Sequence, residues 1–398
     1  MTFQINREEG LFQRQTLFDQ ARRVVVKVGS AVLTGENGLD PEVIGNLARQ
    51  LSFLCKSGRE VILVSSGAVS AGRRKLGLRD GGNGDLKVKQ ALAAVGQGLL
   101  MQAYEQRFQE YGQGVAQILL THDDLSRRHR YLNIRNTILT LFQFGVLPIV
   151  NENDTVSVEE LRLGDNDTLA AMITNMIEAD MLILLSDVEG LYARDPAAGP
   201  ENGGGDLVYT VAEITEEIRE MAGYSKSAMG TGGMRSKIEA ARMVAACGGS
   251  SFIGSGRTPD ILKRLFSGEM TGTFFLPRPD RMKTRKHWIA HVLRPEGYLV
   301  LDAGACTALR ERGKSLLPSG IREVRGDFDV GAPVHCLDES GTAVAAGLCN
   351  YAARDIDRIK GVKSSEIKTI LGYKDSDVVI HRDNLMTLEN DNRGSARR

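Results

Sequence analysis

The segment LRLGDNDTLAAMI, Leu161–Ile173, sets two carboxylates, Asp165 and Asp167, around an amide, Asn166, where an apolar helical pattern begins. Capping alone explains one such segment, because acids and amides accept hydrogen bonds from free N–H groups at a helix start and suit the dipole there. Three other stretches ask for more. Lys27 lies inside the apolar run VVVKV, and a lysine is rarely buried without a partner. An edge strand with a snorkelling side chain would satisfy it. The alternative partner is a phosphate, since Gly29-Ser30 follows directly and offers backbone N–H groups with room for close approach. Thr231-Gly232-Gly233 opens a helix with Met234, Ile238, Ala241 and Ala245 at helical spacing and Lys237 near its start. A cation there opposes the helix dipole, and a phosphate held between the free N–H groups and Lys237 resolves the conflict. Ser186-Asp187 and Asn151-Glu152-Asn153-Asp154 each close an apolar run with polar groups. Alone, either is an ordinary surface loop; the first also reads as a nucleotide-binding loop.

All these residues hold the same place in the chain's pattern. RVVVKVGS, REVILVSSG, GVAQILLT, GVLPIVNEND and DMLILLSD are short apolar runs, separated by helical stretches such as Leu86–Tyr111 and Tyr131–Phe144. That alternation predicts an α/β fold whose mostly parallel sheet is sandwiched by helices. Ligands of such sheets bind beyond the carboxyl ends of the strands. Gly29-Ser30, Ser66-Gly67, Asn151–Asp154 and Ser186-Asp187 fall at those ends, which predicts one shared site.

The chain has 398 residues, enough for two or three domains. Residues 1–20 are polar without a clear period and read as an N-terminal extension. The alternating region covers 21–277. RPDRMKTRKH, within 278–288, reads as a linker, 289–372 as a small mainly β domain, and 373–398 as a tail. Net charge is zero, and residues 289–372 hold 11 Lys/Arg against 11 Asp/Glu, which disfavours phosphate-driven nucleic-acid binding. Five scattered cysteines without a C-x-x-C pair suggest a reducing compartment and no zinc site. The N-terminus lacks a signal-peptide core, and no apolar run nears the ~20 residues of a membrane span. The expectation is a soluble, cytoplasmic protein. ERGKS (Glu311–Ser315) ends like a phosphate loop but holds Ala308 where the upstream glycine belongs, and HWIAH (His287–His291) lacks the glutamate of a zinc motif.

VVVKVGS, VSSGAVSAGR, IVNENDTVS, GDNDTLAA, LLSDVEGLY and GTGGMRSK stand in the order found in the glutamate 5-kinases, a branch of the amino-acid kinase family that residues 22–277 resemble. The C-terminal region resembles a PUA domain, an RNA-recognition-type module. Ser186 stands where relatives often carry threonine, and Arg235 occupies a variable position. The resemblance implies an amino-acid kinase fold, ATP as co-substrate with Mg2+, and phosphorylation of the γ-carboxylate of L-glutamate. It implies that Lys27 and Lys237 hold phosphates and that Asp167 orients both lysines. Ser186, Asp187, Thr231, Gly232, Gly233, Met234, Arg235, Ser236 and Lys237 would line the ATP site, and Ser66, Asp154 and Asn166 would hold glutamate. It further implies proline as feedback inhibitor, glutamate-5-semialdehyde dehydrogenase as pathway partner, and a homo-oligomer.

The chemistry suits the residues. A glutamate side chain, with a pKa of ~4.3, is ionised at neutral pH and needs no general base, and none of the six histidines falls in a motif. An anion attacking an anion needs positioning and positive charge, which two lysines, free N–H groups and Mg2+ would supply. The rivals are a kinase of the same fold acting on aspartate, acetylglutamate, carbamate or a nucleoside monophosphate, and an RNA-binding regulator working through its PUA-like domain.

Overall fold

A computed structural model of the chain describes residues 7–35, 38–78, 86–126, 128–156, 166–194, 206–224, 233–277, 295–374 and 376–388. Two compact units emerge, one from Met1–Leu125 and Asn133–Arg281, the other from Ser126–Leu132 and Met282–Arg398. The expected linker, 278–288, lies outside the described residues, as do the HWIAH histidines.

The large unit is built from β1 (Arg23–Val28), a hairpin β2 (Thr34–Gly35) and β3 (Gly38–Leu39), β4 (Glu60–Ser65), β5 (Val115–Leu120), β6 (Leu147–Glu152), β7 (Met181–Ser186), β8 (Thr210–Val211), β9 (Ser250–Ser255) and β10 (Thr273–Phe275). Among the described residues, eight of these form one sheet in the order β5-β6-β4-β1-β7-β9-β10-β8. The six from β5 to β9 in that order run parallel, β10 runs antiparallel to β9, and β8 runs parallel to β10. The helices are α1 (Arg7–Gln20), α2 (Ser30–Leu33), α3 (Pro41–Lys56), α4 (Ala68–Lys75), α5 (Leu86–Gln109), α6 (His122–Ser126), α7 (Arg128–Gln143), α8 (Asn166–Met176), α9 (Glu216–Met221), α10 (Met234–Ala246) and α11 (Ile261–Phe266).

The two-residue period of a strand decides what each face carries. Val24, Val26 and Val28 of β1 and Met181, Ile183 and Leu185 of β7 enter one core cluster with Leu47, Leu51 and Leu54 of α3 and Leu100, Tyr104 and Phe108 of α5. Burying each such aliphatic side chain contributes about 1.5–3 kcal/mol. Val25 and Lys27 point to the opposite face, where α8 packs over β1, β4 and β7, and α10 packs over α8 and β9. α3 starts cleanly because Asp40 accepts from the N–H groups of Glu42 (3.0 Å) and Val43 (3.2 Å), with Pro41 at the first helical position.

Two helices meet unusually closely at the end of β4. A Cβ on Gly96 of α5 would lie 1.8 Å from the Ala68 carbonyl oxygen of α4, and one on Gly72 would lie 1.9 Å from the Leu92 oxygen. Only glycine permits that approach. α4 itself begins at Gly67, whose φ of 108° is left-handed, so the chain turns sharply after Ser66.

The N-terminal extension contains a helix that is docked. Phe18 of α1 is buried against Phe266 and Phe274. Arg14 is 2% exposed and donates to the carbonyls of Thr271 (3.0 Å) and Tyr209 (3.4 Å); burial pushes its pKa down to about 10. Replacing Arg14 with alanine removes the donor to the Thr271 carbonyl, while the Tyr209 carbonyl keeps the Phe274 N–H, and the expected cost is about 1–3 kcal/mol. Urea unfolding checks it, and an unchanged midpoint would remove Arg14 from the docking contact.

In the small unit β11 (Gly297–Leu301), β12 (Ile321–Arg325), β13 (Pro333–Leu337), β14 (Ala343–Leu348) and β15 (Leu385–Thr387) form a sheet in the order β12-β11-β13-β14-β15. It folds around its own core, with Leu299, Val334, Val344, Tyr351 and Ile356 fully buried. β15 lies beyond residue 372, where the sequence suggested a tail. Its pairing with β14 is long-range, and a three-residue strand leaves almost no local pattern. The helix Ala303–Arg312 stops at Gly313, whose φ is 53°, so the lysine of ERGKS follows a helix end and not a phosphate loop. Among the described residues no helix is long and apolar enough to cross a membrane.

Candidate active site

The four clusters expected at strand ends sit side by side, because β6, β4, β1 and β7 are consecutive neighbours. The Gly29 N–H donates to the Leu185 carbonyl (3.2 Å), and the Ser66 N–H to the Val28 carbonyl (3.1 Å), so the loops after β1, β4 and β7 are stitched together.

Lys27 is on a central strand, not an edge, which removes snorkelling as its explanation. It is 5% exposed, Lys237 of α10 is 4% exposed, and Asp167 at the start of α8 is fully buried. Asp167 Oδ1 lies 2.5 Å from Lys27 Nζ, and Oδ2 lies 3.2 Å from Lys237 Nζ. Ser236 Oγ–H donates to the same Oδ2 at 2.9 Å. Burial alone would push this carboxyl up, but Lys27, Lys237 and the hydrogen bonds outweigh it and hold the group below the usual carboxylate range. The triad sums two positive charges and one negative. A net positive charge held in a buried position favours an anionic ligand. Gly29 lies directly beside Lys27, and a Cβ there would stand 3.8 Å from Nζ, in ordinary contact with it.

α10 starts at Gly233 with no side chain capping it. Its first N–H groups, those of Met234, Arg235 and Ser236, have no intrahelical partner. Met234 is buried, so its side chain serves the core and only its N–H could face a ligand, whereas Arg235 is exposed. Thr231, Gly232 and Asp165 lie outside the described residues. Ser186 is buried at the end of β7 and donates to Asp187 Oδ1 at 2.9 Å; Asp187 is exposed.

Beside the triad runs a chain of amides. Asn166 Nδ2 donates to Ser66 Oγ (2.8 Å) and to Asn151 Oδ1 (2.9 Å), with a longer 3.5 Å contact to the Ser65 carbonyl. Asn151 Nδ2 donates in turn to Gln97 Oε1 at 2.9 Å. Asn166 thus spends its donors within the protein. Both its amide hydrogens have protein acceptors, and Oδ1, an acceptor, is its remaining polar atom. Behind Ser66, the buried Tyr104 hydroxyl meets Ser65 Oγ at 2.8 Å. Desolvation pushes that phenol well above its ordinary value, so it stays neutral. Asp154 is half-buried in the turn after β6. Sequence reasoning passed over Gln97 and Tyr104, since a polar or aromatic residue inside a long helix carries no local signal of a site. Asn151 was visible only as part of its polar cluster.

A mostly parallel sheet with paired buried lysines, an uncapped helix start and a polar cluster at its carboxyl edge is the arrangement of an α/β protein suited to phosphoryl transfer. The model of the amino acid kinase family matches residues 22–255 and that of the PUA domain matches 297–371, and the chain belongs to the amino acid kinase family. A glutamate 5-kinase of Desulfotalea psychrophila is 57% identical to it over 94% of this chain and 99% of the relative. Glutamate 5-kinases of Geobacter sulfurreducens and Caldanaerobacter subterraneus are 48% and 47% identical, over 94% and 92% of this chain and 100% and 98% of theirs.

Proposed function

We propose that this chain transfers the γ-phosphoryl group of ATP to the γ-carboxylate of L-glutamate, giving L-glutamyl 5-phosphate and ADP. The observation that carries this is the buried triad, two lysines sharing Asp167 at the carboxyl ends of the central strands. A carboxylate oxygen attacks the γ-phosphorus, and the bond from that phosphorus to the β,γ-bridging oxygen breaks. No proton needs removing, so electrostatic support is the catalyst's main task. Lys27 and Lys237 are assigned to the phosphates and Asp167 to their alignment. Ser186, Asp187 and the segment from Thr231 to Lys237 are assigned to ATP. Ser66, Asp154 and Asn166 are assigned to glutamate, with Asp154 and Asn166 Oδ1 suited to its ammonium and the Ser66 hydroxyl to a carboxylate. Among the described residues no three of His, Cys, Asp and Glu gather to hold a metal. A Mg2+ ion would be brought in on the nucleotide's phosphates, with one or two carboxylates and water completing its shell.

The test is ATP-dependent formation of γ-glutamyl hydroxamate in hydroxylamine. Formation of ADP with aspartate, acetylglutamate or a nucleoside monophosphate, and none with glutamate, would replace this reading by another kinase of the fold.

Asp154→Ala and Asn166→Ala should each raise the glutamate KM more than they lower kcat and should spare the ATP KM. Each removes a polar partner from a substrate charge in a partly desolvated pocket, a loss of about 1–3 kcal/mol. Proline shares glutamate's α-carboxylate and amine, so both variants should also lose sensitivity to proline. An ATP KM that rises while the glutamate KM holds moves these residues out of the acceptor pocket.

A second reading concerns the small unit alone. It contains a cavity of about 700 Å3 whose lining includes Lys314, His381 and Arg382. Those groups suit a phosphate-bearing ligand, and RNA is the ligand class its PUA match suggests. A salt-sensitive mobility shift of RNA by the full chain would support it, and no shift at low salt would dismiss it.

A further inference from the structure

The amide chain beside the triad has a direction, and the backbone sets it. Asn151 Oδ1 accepts from the Glu152 backbone N–H at 2.9 Å, and a backbone N–H is always a donor. The oxygen of the Asn151 amide must therefore face Glu152 and its nitrogen the other way. There it meets Gln97 Oε1 at 2.9 Å, a partner that must accept. The atom of Asn166 that approaches Asn151 Oδ1 must then be its nitrogen. The same nitrogen donates to Ser66 Oγ, whose hydroxyl hydrogen is left to point elsewhere.

We propose that Gln97 is a positioning residue for the acceptor substrate. Together with the Glu152 N–H it fixes the orientation of Asn151 and Asn166, so that Ser66 presents its hydroxyl as a donor to a substrate carboxylate. The inference rests on the assignment of Ser66 to the glutamate pocket. Without an acceptor at position 97, the Asn151 amide keeps the Glu152 N–H and the Asn166 amide at its oxygen but loses the partner that holds its nitrogen. A flipped Asn151 would set nitrogen against nitrogen at Asn166 and turn that amide as well. The fold places Gln97 with little freedom. It follows Gly96, the point at which α5 lies against α4, and α4 begins directly after Ser66 and Gly67. The close approach of two glycines thus sets the distance between the start of the chain of amides and its end.

The test compares Gln97→Met, Ser66→Ala and the double variant in the full-length protein. Gln97→Met keeps length and removes the acceptor. It should raise the glutamate KM about tenfold, with the ATP KM close to wild type and Tm lowered by no more than about 10 °C. On the Ser66→Ala background the same change should add less than about twofold, because the group it orients is gone. Gln97→Glu keeps an acceptor oxygen and should stay within about threefold of wild type. The proposal is overturned if Gln97→Met leaves the glutamate KM unchanged, or if its effect and that of Ser66→Ala simply multiply. It is equally overturned if the Met and Glu variants are impaired alike, including a shared failure to fold. If instead Ser66→Ala itself leaves the glutamate KM unmoved, the assignment of the pocket fails and not the direction of the amide chain.

Discussion

Lys237→Met is expected to lower kcat by about 10²–10³ while the protein stays folded. The reasoning is a charge count in a buried place. Lys237 and Lys27 both contact Asp167, so removing one lysine leaves one cation facing one anion. That pair is balanced, and methionine fills nearly the volume of the lost side chain in a site only 4% exposed. What disappears is the surplus positive charge that a phosphoryl group would use. A preorganised charge contact to a developing anion is worth about 2.7–4 kcal/mol, hence the size of the fall. Lys27→Met should behave the same way. Initial rates at saturating glutamate and ATP, with a melting curve for each variant, decide it. Turnover near wild type in a folded Lys237→Met protein would end the phosphate role.

Asp167→Asn reverses the balance and should damage the fold. Two ammonium groups would then share a neutral amide at a position where neither is more than 5% exposed. Breaking a buried ion pair from one side typically costs about 3–5 kcal/mol, because the charge left behind has no counterion. At roughly 2–4 °C per kcal/mol for a unit of this size, Tm should fall by about 6–20 °C. The effect should depend on pH in a stated direction. The Asp167 carboxyl is held below its ordinary value, so its contribution is complete above the unfolded value of ~3.9 and is lost as pH falls through the lower folded value. The stability gap between wild type and Asp167→Asn should therefore stay constant above about pH 5 and narrow below it. A gap that widens on acidification would mean the carboxyl is not the lysines' counterion.

The sequence by itself determined the chemistry that was available and the kind of sheet that would carry it. Continuous apolar runs such as VVVKV and MLILL are local signals of buried strands, and the helical stretches between them call for parallel crossovers. From these alone, Lys27, Ser66, Asp154 and Ser186 could be set at carboxyl ends of strands. Tertiary structure decided which ends are neighbours. The order β6-β4-β1-β7 is a matter of long-range pairing, and no periodicity within a strand reports the strand beside it. The same holds for Lys27. Its side chain could have snorkelled from an edge, and only a central position with Asp167 above it turns it into part of a charged triad. The docking of α1 was hidden because it depends on two residues, Arg14 and Phe18, that meet partners more than 190 and 240 positions away. Gln97 was hidden for a related reason. Its role comes from Gly72 and Gly96 letting two helix backbones touch, and a glycine in a helix does not announce which backbone will lie against it.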